Sequence, residues 1–271
     1  MKFKIKKDKL EHMLEMLMLK DVLPTAVLTM QNGKLFSIQQ EEHARALRLL
    51  KLNENFFEDK IEGEDESVEI DVATILSILK RNHHDNIVKV SITGNKISIV
   101  GDRVDVVLPV REPDDVKTKL PFIVDENGVP LFGEDKKPLD VHILMTIDDY
   151  KDFCAYANPI KTDFFKFLIE EGLVKARIGD VHDFDKRIKF TPRAEIKSGT
   201  ELDVTFPYAI PQIGDTYVGF ESDIKFMDKG EEKQEKHKVI GIRGRSGFPM
   251  WFYEKTDEYF LGVIVPPYVE E

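Results

Sequence analysis

A chain of 271 residues with 42% hydrophobic side chains suits two domains of ordinary size, each with its own core, and its composition is far from that of a disordered chain. Fifty acidic against 39 basic residues, a net charge of −11, exclude a coat for nucleic acid spread over the whole surface, although a basic patch on one face remains compatible with an acidic remainder. A single cysteine, Cys154, excludes an internal disulfide framework and a cysteine-based zinc site, and no run of about 18 apolar residues offers a membrane span, so a soluble intracellular protein is expected.

Lys2 to Lys6 alternates as a strand with Phe3 and Ile5 on one side, and lacks the apolar core of a signal peptide. Asp8 is the expected cap of a helix whose Leu10, Met13, Leu14 and Leu17 form an apolar stripe ending near Pro24. Thr25–Met30 and Leu35–Ile38 read as strands joined by the hairpin pair Asn32-Gly33, followed by a strand over Ala44–Leu52. Glu58–Glu66 is an acidic loop, and Val68–Ile70 leads to Asp71, an N-cap for a helix with Val72, Ile75, Leu76 and Leu79 on its apolar face. Three strands in period-two register close this half: Val88/Val90/Ile92, Ile97/Ile99 and Val104/Val106/Leu108/Val110, with turns at Gly94-Asn95 and Gly101-Asp102. Taken alone, this last helix and meander fit a generic α+β packing unit as well as any function.

The first 110 residues thus read strand–helix–three strands, twice over, which predicts one continuous sheet with both helices on one face. Residues 111 to 140 carry Pro113, Pro121, Pro130 and Pro138 and read as a connector whose apolar runs, 122–124 and 129–132, pack on the body or face a partner. The second half opens like the first. A strand over Val141–Ile147 precedes a helix with Tyr150, Phe153, Cys154 and Ala157, and strands follow at Phe164–Ile169, Leu173–Ile178, Arg187–Phe190 and Glu201–Phe206. Pro207–Lys238 resists assignment because prolines and glycines interrupt any helix, and Asp228–Lys238 is expected to be a charged loop. Strands return at Val239–Ile242, Met250–Glu254 and Tyr259–Val265.

Chemistry-bearing motifs are sparse. The glycine-rich run 241–247 lies between two strands and reads as a basic turn, not a phosphate loop. His83-His84 and the 182–185 stretch lack metal-ligand spacing, and Cys154, set in a helix beside Phe153, reads as a buried thiol. No catalytic constellation, cofactor site or metal site can be singled out.

The order of elements, two strand–helix–three-strand units, a proline-containing connector and a second similar half with an acidic end, resembles the sliding clamps of the proliferating-cell-nuclear-antigen (PCNA) type. Local strings agree: Ile75–Arg81 resembles the second helix of the clamp's first domain, and Glu41–Ala44 the loop before the strand of its partner pocket. Phe248–Tyr253, Phe260-Leu261 and Pro267–Glu271 are similar to its C-terminal hairpin and tail.

The resemblance implies an α+β clamp fold of two similar domains built from βαβββ repeats, with helices on one face of antiparallel sheets. Residues 1–111 and 141–271 would be the domains and 112–140 the connector. It also implies a non-enzymatic processivity factor without cofactor, closing into a homotrimeric ring around double-stranded DNA in the cytoplasm or nucleoid, or in a nucleus. The pore would carry Lys9, His12, Lys80, Arg81, His84 and Lys151. DNA polymerase, clamp loader and other DNA enzymes would dock short hydrophobic motifs against His43, Ala46, Phe122, Ile123, Leu131, Phe132, Val265, Pro266 and Pro267. Two departures stand out: Gln39 lies where a clamp has an apolar residue, and Pro207–Lys238 does not read as the helix the second domain should contain. Competing readings are a regulatory or checkpoint-type clamp paralogue, a β-rich small-molecule enzyme, and a structural β-sandwich protein without DNA contact.

Overall fold

The computed structural model describes residues 1–19, 22–41, 46–81, 86–103, 105–113, 123–124, 130–132, 137–160, 164–180, 183–207, 216–228 and 230–268. It contains two compact units: Met1–Glu42, Leu47–Lys119 and Lys255–Leu261 form the first, and His43–Ala46, Leu120–Glu254 and Gly262–Glu271 the second. Among the described residues no helix is long and apolar enough to cross a membrane.

In the first unit the order is β1 (Lys2–Lys6), α1 (Lys7–Met18), β2 (Thr25–Gln31), β3 (Lys34–Gln40), β4 (Leu47–Leu52), β5 (Glu66–Asp71), α2 (Val72–Arg81), β6 (Ile87–Thr93), β7 (Lys96–Val100) and β8 (Asp105–Pro109). All pairings are antiparallel, but the predicted continuous sheet is two sheets. One runs β1-β6-β7-β8, and the other contains β5-β2-β3-β4. Among the described residues an isolated bridge between Glu69 and Arg111 links β5 to the end of the meander.

Asn32 and Gly33 both take positive φ (52° and 73°), the geometry a two-residue hairpin turn requires and a reason for glycine at the second position. α2 forms as the pattern predicts. Asp71 accepts from the Thr74 backbone N–H (2.9 Å) and from its hydroxyl (2.7 Å), and Val72, Ile75, Leu76 and Leu79 are all buried. α1 buries Leu10, Met13, Leu14 and Leu17 as expected, yet Asp8 does not cap it: the helix starts at Lys7, directly from β1, and its N-cap Lys6 makes no side-chain hydrogen bond. The two helices pack on each other and against β2.

A polar group holds the far end of α1. Arg48, on β4, is fully buried and donates to the Leu17 carbonyl oxygen in the last turn of α1, to the Ser37 hydroxyl (2.6 Å) and to the Gln39 amide oxygen (3.4 Å). Burial lowers its pKa to about 9, and the cation sits where helix carbonyls concentrate negative partial charge. Gln39 also accepts from the Val27 N–H (3.2 Å), which explains why an amide stands where an apolar residue is expected.

The second unit begins with a small connector sheet, β9 (Ile123–Val124), β10 (Pro130–Phe132) and β11 (Lys137–Pro138), in the order β11-β10-β9. Then come β12 (Val141–Thr146), α3 (Ile147–Ile160), β13 (Phe164–Glu170), β14 (Leu173–Asp180), β15 (Asp183–Phe190), β16 (Ala194–Ser198), β17 (Asp203–Pro207), β18 (Phe220–Asp228), β19 (Glu231–Gly244), β20 (Met250–Lys255) and β21 (Tyr259–Val265), of which Lys255 and Tyr259–Leu261 belong to the first unit. One sheet runs β15-β14-β13-β17; in another, β16, β12, β19 and β20 are consecutive, with β18 paired to β19. Its core is aromatic: Phe153, Phe165, Phe167, Phe206 and Phe252 are fully buried, with ring centroids 5.0–6.3 Å apart. Such pairs each add about 0.5–1.5 kcal/mol beyond area burial.

The segment expected to be a charged loop is a long hairpin. β18 and β19 pair over nine positions from Phe220↔Val239 to Asp228↔Glu231. β18 alternates, with Phe220, Ile224 and Phe226 on one face, but the outer part of β19 carries charges without such a pattern; Lys236–Glu221 (2.5 Å) and Lys233–Asp228 ion pairs cross the hairpin. Ile224 and Phe226 pack with Leu144 and Val239 in a small second core, and Lys225 donates its backbone N–H to Glu195 on β16 (3.0 Å). The hairpin's entry is tied down by Glu254, a fully buried carboxylate that accepts from the backbone N–H of Val218 (3.0 Å) and Gly219 (2.8 Å). Gly219 has φ +78°, and a Cβ there would lie 3.2 Å from Ile147 Cβ and from the Val239 carbonyl, so this corner needs glycine.

Candidate nucleic-acid interface

The polar faces of α1 and α2 lie in one unit and that of α3 in the other. On α1, Lys9 Nζ is held by Glu258 (2.6 Å) and the Asn55 carbonyl (3.2 Å), 5.6 Å above the Phe56 ring. His12 Nε2 lies 3.3 Å from the Tyr259 hydroxyl and its ring packs edge-on to that tyrosine at 5.5 Å. Lys7 pairs with Glu11 (2.6 Å), and Lys80 of α2 reaches across to Glu15 of α1 (2.8 Å). Arg81 is exposed and pairs with no carboxylate among the described residues. His84 lies outside the described residues.

On α3, Lys151 is half-buried, between exposed Asp148 and Asp152. Thr146 caps this helix by accepting from the Asp149 N–H (3.3 Å), and Asp149 grips Arg193 through Nη2 (2.7 Å) and Nε (3.1 and 3.2 Å). The hydrogen-bonded carboxylate raises the Arg193 pKa further. Over the three helices six acids, Asp8, Glu11, Glu15, Asp148, Asp149 and Asp152, stand against five cations, Lys7, Lys9, Lys80, Arg81 and Lys151. These faces therefore offer phosphates little net attraction; Arg81 and Lys80 at the end of α2 are their most basic point. Periodicity alone revealed the polar positions but not Glu258, which lies 249 residues from Lys9.

Of the residues expected to receive partner peptides, Leu131 and Phe132 are partly exposed on β10, where Leu131 pairs with Ile123 and Pro138, and Phe132 with Lys137. Pro266 and Pro267 are partly exposed. Ala46 and Val265 are buried, and His43 and Phe122 lie outside the described residues. Just beyond, Tyr268 donates its N–H to Thr205 (2.7 Å) and packs its ring 4.8 Å from Phe164, fixing the end of the described chain to the second unit. A cleft in the first unit is lined by Thr25, Glu69, Ile70, Asp71, Leu108, Pro109 and Arg111.

No family model and no curated protein matches the sequence. Solved structures do match it over its full length. The chain superposes on one from a structure of the C-terminal region of FEN-1 bound to A. fulgidus PCNA with a TM-score of 0.74 and 13% identity, covering 100% of this chain and 99% of that one. It superposes on the proliferating cellular nuclear antigen of Entamoeba histolytica with a TM-score of 0.76 and 9% identity, covering 99% and 98%. With its paired strand–helix–strand halves, this chain has the PCNA-type sliding-clamp fold in a form whose sequence has diverged widely.

Proposed function

We propose that the chain is a DNA sliding clamp, a non-enzymatic processivity factor that encircles duplex DNA and docks short hydrophobic motifs of replication and repair proteins. The observation that carries this reading is likeness to PCNA structures over essentially the whole of both chains. Two sheet edges support ring closure: among the described residues β8 ends one four-stranded sheet and β15 ends another, and antiparallel pairing of such edges between copies would build a homotrimer. With acids offsetting most helix cations, retention is topological and only weakly dependent on salt. The FEN-1 segment bound to PCNA in one neighbour supports peptide docking, here by motifs of polymerase, clamp loader and other DNA enzymes against Leu131, Phe132, Pro266 and Pro267. Its place would be wherever the cell keeps its DNA, nucleoid or nucleus.

The test is retention on DNA after loading. Loaded protein should stay on closed circular DNA and run off when the circle is linearised; equal loss from both would overturn the reading. Arg81→Glu should speed loss from the circle several-fold while the mass of the assembly is unchanged, and equal retention by the variant would remove Arg81 from the pore. A second reading, a regulatory or checkpoint-type subunit of a mixed ring, draws support from the acid-balanced helices. A monomeric mass in light scattering would favour it.

A further inference from the structure

The sheet β1-β6-β7-β8 has a buried face formed by Phe3, Ile5, Val88, Val90, Ile92, Ile97 and Ile99, and an opposite face of a different kind. Register places Lys2, Lys4 and Lys6 of β1 beside Ser91, Lys89 and Ile87 of β6. Lys89 lies beside Val100, Ser91 beside Ser98 and Thr93 beside Lys96, and β8 adds Asp105, Val107 and Pro109. This one face thus carries five lysines and one aspartate in a chain whose net charge is −11.

Lys4 and Lys89 stand directly opposite each other, a pairing of like charges that costs the sheet stability. The acidic segment Glu58–Glu62 runs beside β1, and Asp59 pairs with Lys4 at 2.7 Å with Glu62 near by, but that pair is exposed, hence weak and easily exchanged. Lys2, Lys6, Lys89 and Lys96 pair with none among the described residues. Exposed aliphatic side chains share the face: Ile87 (47% exposed) beside Lys6, Val100 (40%) between Lys89 and Asp105, and Val107 (55%) beside Ser98.

We infer that this face is a docking surface for an extended acidic peptide segment that also carries aliphatic side chains. Alternate residues of an extended strand repeat about every 7 Å, so the Lys2–Lys4–Lys6 ladder matches carboxylates at alternate positions of a partner in the same conformation. Charge complementarity selects the acid and supplies fast, salt-sensitive association. The aliphatic gaps select against a bare phosphate chain, which gains nothing by covering Val100 and Val107, and the face has no aromatic ring on which a base could stack. The surface is separate from the helix faces, so it is independent of DNA encirclement.

The probe is a fluorescein-labelled peptide of alternating glutamate and leucine, read by anisotropy against the full chain at low salt. Its controls are the glutamine–leucine counterpart and a labelled DNA duplex. Lys4→Glu/Lys89→Glu should weaken the acidic peptide about tenfold or more, and Val100→Ser/Val107→Ser several-fold, while Arg81→Glu leaves binding unchanged. Circular dichroism checks the fold, and Lys2→Gln/Lys6→Gln replaces the reversal variant if that one unfolds. Equal binding of the glutamine peptide, or indifference to lysine replacement, would overturn the inference. So would a duplex that binds as tightly as the peptide and ignores the valine changes, which would make the face a phosphate contact.

Discussion

The two units repeat one plan and finish it differently on the sheet face away from the helices. Aligning the strands that run into α1 and α3 sets Lys2, Lys4 and Lys6 against His142, Leu144 and Thr146. In the first unit that face is bare and lysine-rich. In the second it is roofed by the β18–β19 hairpin, with Leu144 beneath Ile224 and Phe226, and His142 stacked on Tyr253. Residue type at these positions follows what covers the sheet: where nothing does, charge keeps the strands soluble, and where a hairpin does, the same positions turn apolar or neutral.

Removing the roof is the largest way to break this contrast. Phe226→Ala should cost about 3 kcal/mol, as large-to-small changes at buried aromatic positions do, read as a fall in the urea midpoint. His142 gives the next effect. Burial first, then the charges of Arg243 and Lys197, lower its pKa from 6.5 to about 4, and its Nε2 lies 2.8 Å from the Tyr253 hydroxyl. A histidine depressed in the folded state contributes stability that is complete above its unfolded pKa and lost as pH falls from about 6.5 toward 4. Because the ring is only half-buried, the loss should be on the order of 1–2 kcal/mol, less than the full shift implies. His142→Gln should flatten the urea midpoint over that range; an unchanged pH profile would show that the roof does not desolvate the ring.

Within the first unit the expected effects are smaller. Asp71→Ala should cost about 1 kcal/mol by uncapping α2, whereas Asp8→Ala in α1, where no side-chain cap exists, should cost only a few tenths; equal losses would contradict the capping geometry. On the bare face, Lys96→Ala should move stability by less than about 0.5 kcal/mol, and a larger loss would mean that the face is not free.

Much of this was legible in the sequence wherever a local rule decided the structure. The Asp71 cap, the α2 stripe, the turn at Asn32-Gly33 and the β6–β8 meander each follow from residues only a few positions apart. The hairpin over Phe220–Gly244 was not legible, because Phe220, Ile224 and Phe226 alternate on one strand only, while the partner stretch Glu231–Lys238 is held by pairing and cross-strand charge. Asp8 misled because a strand ran straight into the helix and left no room for a cap box. At the candidate interface, Lys9, His12 and Lys80 could be placed on polar helix faces, but their partners Glu258, Tyr259 and Glu15 come from other elements, and these contacts decide how much charge is left for a phosphate.

The guanidinium of Arg48 has a mechanical consequence. Pinned to the last turn of α1 from within the neighbouring strand layer, it stops that helix from sliding along its own axis or turning about it. Lys9, His12 and Glu15 are thereby indexed against Lys80 and Arg81 like teeth on a fixed rack, so a change at position 48 would shift the phasing of groups a helix length away without touching any of them.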